Sequence, residues 1–300
     1  MVKSQTSDVL NHNFSFNKVF TIFGRIIIYS ILIFLAFTFI FPYIWLISSS
    51  FKSPEAVLRP NFELFPRDVN GNIKFIFDNY KIAIKELDLG LVFKNTMIVC
   101  FVNTFINLFF NSLAAYAFAR LKFPGKEVIF YVALITMMVP GTVLMIPNFL
   151  IVNKIGIFDT LLCLILPFAM SVYNVFLLRQ QFYALNGAIE EAARIDGASN
   201  FRIYWQISLP LVAPILVVQG ITTFMWNYNN FLWPLISIRD ESNYTLALSL
   251  GALMKRGSQL IENFPITLAG AVAVSAPMII MFFLLQKYII GGIAVGGMKD

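Results

Sequence analysis

The sequence contains one histidine, His12, and two cysteines, Cys100 and Cys163, in 300 residues. A single imidazole in a polar N-terminal stretch cannot build a multi-ligand metal centre or a Ser/His or Cys/His catalytic arrangement. Both cysteines lie inside apolar blocks, which favours inert buried thiols over a disulfide framework. Charge is scarce: 13% of residues are Asp, Glu, Lys or Arg, against about 25% in a soluble domain. A phosphate-cradling loop is missing as well. The Gly125-Lys126 pair is followed by Glu127 and lacks the upstream glycine, so the chain has no such site for hydrolysing a nucleotide.

What is present is apolar surface. The chain is 58% hydrophobic and holds 32 phenylalanines. Its formal net charge of +6 comes from basic residues scattered around apolar blocks rather than clustered. That pattern fits membrane topology better than nucleic-acid binding. Six blocks are long enough, at about 20 residues, to cross a bilayer: 26–50, 95–119, 128–152, 161–178, 207–238 and 265–285. None contains Asp, Glu, Lys, Arg or His, as expected when a charge at the bilayer centre costs about 2.5 to 3.5 kcal/mol. The prolines in these blocks are tolerable in spans, where neighbours satisfy the freed carbonyls. Pro140-Gly141 and Pro147 predict a kink in the third block. The first residues lack the pattern of a cleavable signal.

An even span count puts both termini on one side. Taking that side as cytoplasmic assigns it Lys3, Lys18, Arg25, Arg120, Lys122, Lys126, Arg179, Arg194, Arg202, Lys287 and Lys299, whereas the short outer loops hold Lys154, Arg239, Lys255 and Arg256. The resulting layout is a cytoplasmic tail (1–25), a six-helix all-α membrane domain (26–290) and a cytoplasmic C-terminal tail (291–300). An outer excursion at 51–94 is expected to contain short helices. A cytoplasmic loop at 179–206 joins spans four and five. In the last span, Ala269 and Ala273, and Ala271 and Ser275, have the small-residue spacing of close helix packing.

The spans hold no carboxylate or histidine for a proton-driven carrier. A sodium-coupled carrier using carbonyls stays open. If the chain pumps, its energy enters from another subunit, and the loop before span five offers the surface. Asn186 is placed to cap a short helix there, with Glu190 and Glu191 early and Gly197 as its stop. Ile189, Ala192, Ala193 and Ile195 give it an apolar side, with the two alanines small enough for a narrow cleft. Ser199 or Asn200 can start a second short helix that leads to Ile207. Local chemistry alone leaves a solvated helix without a partner equally open.

The spacing adds more. Glu191-Ala192-Ala193, then Gly197, Ile207 and Leu209-Pro210 resemble the motif shared by membrane subunits of binding-protein-dependent ABC importers, at all seven fixed positions. Further stretches resemble the permeases of carbohydrate importers, specifically the shorter, maltose-transporter-like six-span subunit (type I fold). They are 112–120 with Phe123-Pro124-Gly125-Lys126, Ile195-Asp196-Gly197-Ala198, Trp226-Asn227 through Phe231 to Pro234-Leu235, and the tail 288–299. The usual proline and nearby Glu before the motif helix are here Asn186 and Ala188. The helix start is expected to survive; one motor contact is put in question.

The resemblance implies a transport subunit rather than an enzyme, in a bacterial or archaeal cytoplasmic membrane. Its implied partners are a second permease subunit, a cytoplasmic ATPase dimer that uses ATP and Mg, an extracellular solute-binding protein, a di- or oligosaccharide and membrane lipid. No cofactor or metal is expected on this chain, and no nucleic acid. The implied coupling residues are Glu190, Glu191, Ala192, Ala193, Arg194, Asp196, Gly197, Ile207, Leu209 and Pro210. Glu191 is the polar anchor, Ala192 and Ala193 the close contact and Gly197 the tight turn. For the substrate path the residues themselves suggest Asn103, Asn107 and Asn111, on one face of span two, with Tyr173, Asn174, Trp226, Asn227 and Asn230. Amides pair with hydroxyls and aromatic faces stack on sugar rings, but the same residues also glue helices and gather at membrane interfaces. A non-carbohydrate solute remains the alternative within the importer class.

Overall fold

The computed structural model describes residues 2–57, 59, 63–67, 71–257 and 263–297, with side chains for 22–57, 59, 63–67, 71–255 and 263–288. Pro60, residues 298–300 of the C-terminal tail and the side chains behind Lys3, Lys18 and Arg256 lie outside these limits. Among the described residues the secondary structure is helical apart from one isolated antiparallel bridge, Arg67 to Ile73.

The chain divides into two units, 1–77 and 78–300. In the first, α1 (Val2–Ser50) is one continuous helix. The stretch expected to be a tail is therefore helical and joins the first span, Ile22–Ser50, without interruption. None of the most apolar window of that span is buried. Beyond it, α2 (Pro54–Val57) opens with proline at its first position, where the missing N–H is not needed. Ser53 Oγ accepts the Ala56 N–H at 3.4 Å. Phe51 meets Phe75 and Phe77 edge-on at 5.6 and 5.3 Å.

In the second unit, α3 (Asp78–Glu86) leads into α4 (Leu89–Arg120). The excursion does contain short helices, but it ends early, because α4 begins before the apolar block at 95. At 32 residues α4 is about 48 Å long, enough to cross a membrane with a turn or more to spare. The third block is divided rather than kinked. It forms α5 (Lys126–Thr136) and α6 (Met145–Lys154), separated by turns over 137–144. Pro140 cannot donate a helical hydrogen bond, and the carbonyls of Pro140, Gly141 and Thr142 accept from residues three further on.

Span four is also broken. It comprises α7 (Leu161–Ile165), a 3₁₀ turn at Leu166–Phe168 around Pro167, and α8 (Val172–Ala184), with a 44° bend. Then come α9 (Gly187–Ile195), α10 (Asn200–Ile203), a π-helical turn (Tyr204–Ser208) and α11 (Leu209–Leu211). A 78° bend at Val212 opens α12 (Ala213–Asn229). Ile207, Leu209 and Pro210, expected at the start of span five, therefore lie on the arm before the bend. Pro210 and Pro214 flank that bend, and both lack the N–H a continuous helix would need.

A short α13 (Leu232–Ser237) follows. The stretch expected to be a plain outer loop contains α14 (Leu246–Gly257), an apolar helix too short to span. Its Leu246 and Leu253 are buried. The last helix, α15 (Phe264–Gly297), contains Pro277. Among the described residues, three helices are long and apolar enough to span unbroken, and the two bent pairs bring the number to five if each is one span.

Helix α4 packs on α8 and α12, and α15 on α3, α12 and α14. One apolar cluster, around Tyr116, Leu178, Phe182, Ile203 and Tyr204, lies at the end that carries α9. Another joins Val99, Cys163, Ile165 and Trp233. Both cysteines are free and fully buried.

Candidate coupling helix and polar cavity

Helix α9 starts as the sequence suggests. Asn186 Oδ1 accepts the Ala188 N–H at 3.0 Å, the bond of an N-cap. It stops at Gly197, whose φ is +83°. Gly197 N–H donates to Arg194 O at 3.1 Å and Ala198 N–H to Ala193 O at 2.9 Å. This pair of bonds is a Schellman stop, which favours glycine. Ser199 Oγ then caps α10 through the Arg202 N–H at 3.3 Å.

The helix has two unlike sides. Ala188, Glu191, Ala192 and Ile195 are spaced to share one face; all are exposed, Ile195 at 87%. Glu191 has no ion-pair partner among the described residues. Arg194 and Asp196 are exposed at the helix end. Ala193 is half-buried against the Tyr116 cluster, which Leu209 also joins; Ile207 is half-buried and Pro210 exposed. The expected apolar side is therefore redistributed, because Ala193 points inward and Ile195 outward. Glu190 also differs from expectation. Its side chain is turned in, 7% exposed, 3.2 Å from Arg120 Nε, and it accepts a hydrogen bond from Ser208 Oγ at 3.0 Å.

Nearby, Arg179 is buried and donates to both Glu127 oxygens, at 2.8 and 3.0 Å, to Phe118 O and to Tyr183 Oη. Its guanidinium lies 3.7 Å from the Phe130 ring centre. In the sequence Arg120 and Arg179 stand out as topology charges, and Arg120 also closes the family-like stretch 112–120. Their positions at the ends of apolar blocks were the available signal; their partners are remote in sequence and were not visible.

Three asparagines of α4 form a buried row, Asn103 and Asn111 completely buried and Asn107 at 3% exposure. They serve the break in span four. Asn103 Nδ2 donates to Ile165 O at 2.8 Å and Asn107 Nδ2 to Phe168 O at 3.2 Å, while Asn111 Oδ1 accepts the Ser171 N–H at 3.0 Å. Asn107 Oδ1 accepts from Asn111 and Asn174 at 2.6 and 2.9 Å, and Asn103 Oδ1 from Asn227 at 2.9 Å. Each backbone group left unpaired there costs about 1–3 kcal/mol, so the amide ladder is what makes the bend affordable in a membrane.

Beside this ladder is a cavity of about 370 Å³, bounded by Asn103, Asn107, Asn174, Tyr173, Thr222 and Trp226 among others. Its exposed wall is aromatic, with Tyr173 at 56% and Trp226 at 49% exposure. Phe168 lies edge-on to Trp226 at 4.8 Å. Asn111 does not border the cavity, Asn227 is used within the ladder, and Asn230 Oδ1 accepts the Trp233 N–H at 3.4 Å.

Apolar helices long enough to cross a membrane, one span broken where buried amides receive the freed backbone groups beside a cavity, define a polytopic helical membrane protein. Residues 95–294 match the family described as "Binding-protein-dependent transport system inner membrane component", and the chain belongs to it as a permease subunit. It is 34% identical over 267 residues to the arabinooligosaccharides transport system permease protein AraQ of Halalkalibacterium halodurans, covering 89% of this chain and 93% of that one. It is 29% identical over 277 residues to the lactose transport system permease protein LacG of Rhizobium radiobacter, covering 91% and 96%. Among solved structures, a bacterial ABC transporter involved in import of the acidic polysaccharide alginate contains a chain that superposes with a TM-score of 0.75 at 26% identity, covering 89% of this chain and 96% of that one.

Proposed function

We propose that the chain forms half of an import path for a di- or oligosaccharide, and that α9 is the helix through which a separate ATPase drives it. The observation that carries this reading is the outward face of α9. Ala188, Glu191, Ala192 and Ile195 present an apolar patch with one free carboxylate, on a helix capped at both ends and anchored from behind. A nearly fully exposed isoleucine beside two alanines suits a protein groove better than water. On this reading Glu191 anchors to a cation of the ATPase, and Ala192, rather than Ala193, makes the close approach.

The carbohydrate assignment is supported by the relatives named for arabinooligosaccharides and lactose, and by the cavity that combines Tyr173 and Trp226 with Asn107, Asn174 and Thr222. The assembly would contain a second permease subunit, an ATPase pair binding ATP and Mg, and an extracellular solute-binding protein. This chain itself would hold no cofactor. It would lie in the cytoplasmic membrane with both termini inside, which puts α9 on the ATPase side.

Affinity purification of the whole importer tests the docking helix. Ile195→Asp places a desolvated charge in the groove and is expected to weaken retention of the ATPase at least about tenfold, the ratio of 1.4 kcal/mol. Full retention would remove the proposal. Tyr173→Ala and Trp226→Ala are expected to lower sugar uptake while the ATPase stays bound; normal uptake in both would remove the assignment of the cavity.

A further inference from the structure

The inward side of α9 carries a feature that ATPase docking does not use. Glu190 is buried at the first turn, on the side away from Ala188, Glu191 and Ile195. Its Oε1 lies 3.2 Å from Arg120 Nε and 3.0 Å from Ser208 Oγ. Arg120 Nη2 donates to Leu185 O at 2.7 Å. Arg120 also passes Gly187, where even a Cβ would stand 3.9 Å from Nη1, an ordinary contact. One node thus joins the last residue of α4, the cap of α8, the first turn of α9 and the π turn that leads through the 78° bend into α12. A bond of 2.8 Å between Ser112 Oγ and Tyr204 Oη ties α4 to that π turn a second time.

We infer that Arg120 and Glu190 form a force-transmitting latch: positioning residues that carry a displacement of α9 into α4 and α12, and so to the walls of the Asn103–Trp226 cavity. The inference rests on α9 being the docking helix. Beside this node, α9 packs the half-buried Ala193 on the Tyr116 cluster, an apolar contact too small to carry a load alone. A buried ion pair resists separation, because removing one partner strands the other charge away from water. Arginine fits the task because its planar fork reaches Glu190 and Leu185 O together, which the point charge of a lysine does not. Helices α4, α8 and α12 line the cavity, and the node meets the end of α4, the cap of α8 and the turn leading into α12, so one motion of α9 reaches all three.

The test is uptake per ATP hydrolysed in the complete importer, reconstituted in proteoliposomes with its ATPase and binding protein. Glu190→Gln and Arg120→Gln are each expected to lower the ratio about fivefold or more, the lower end of ordinary coupling between sites, with the ATPase still bound. The double variant is expected to be no worse than the weaker single, because each substitution already opens the latch. Arg120→Lys should fall between. Ser208→Ala, which removes one bond and no charge, should lower the ratio less and keeps the test available if an Arg120 variant fails to assemble. An unchanged ratio in Glu190→Gln and Ser208→Ala, or losses that multiply in the double variant, would overturn the latch. If the wild-type chain retains its ATPase only through surfaces other than α9, the docking reading fails; if it retains it through α9 and the ratio is unchanged, the latch alone fails.

Discussion

Gly197 has a φ of +83° and open space where a Cβ would be. Replacing it therefore introduces backbone strain rather than a clash. A side chain in the left-handed region costs roughly 1–2 kcal/mol, with Asn the tolerated exception. Uptake should rank wild type, then Gly197→Asn, then Gly197→Leu. Equal uptake by the leucine variant would show that the stop of α9 is not under strain. The same scale separates Glu190 from its neighbour Glu191. The two carboxylates are about 100° apart around the helix, which is enough to turn Glu190 into an ion pair and leave Glu191 exposed. Residue type could not distinguish them; helical phase does.

At the scale of the element, the asparagine ladder connects sequence to structure. Three asparagines spaced four apart told the reader that one face of span two meets something polar. They did not reveal that the partner is the broken backbone between Ile165 and Ser171, because a break is defined by the carbonyls it frees and not by side chains. Pro167 and Pro140 marked where helices yield, yet one gave a 44° bend and the other a complete division. After Pro140 the chain stays in turns over residues 137–144, whereas Pro167 sits in a single 3₁₀ turn, Leu166–Phe168. Asn107→Leu should unmake bonds to Phe168 O, Asn111 and Asn174 together. The expected destabilisation is at least about 2 kcal/mol, read as a lower unfolding midpoint of the purified complex. Cysteines placed at Tyr173 and Trp226 should react with a soluble thiol reagent, and one at Asn111 should not. Labelling at 111 alone would mean that the ladder, not the aromatic wall, lines the path.

At the scale of the whole molecule, the missing phosphate loop and missing intramembrane charge mean that, if the chain pumps, its energy enters from another subunit. The capped helix with an exposed face is the place we propose for its entry, and the family match identifies the kind of machine. What sequence could not supply is which side of α9 faces the bundle, since that depends on where Arg120 and Ser208 arrive from distant segments. The most direct measurement is disulfide or bifunctional cross-linking of the intact importer from single cysteines at Ala192, Ile195 and Ala193. The account predicts strong cross-linking to the ATPase from 192 and 195 and little from 193, which packs on the Tyr116 cluster. Cross-linking from 193 with none from 192 and 195 would contradict it.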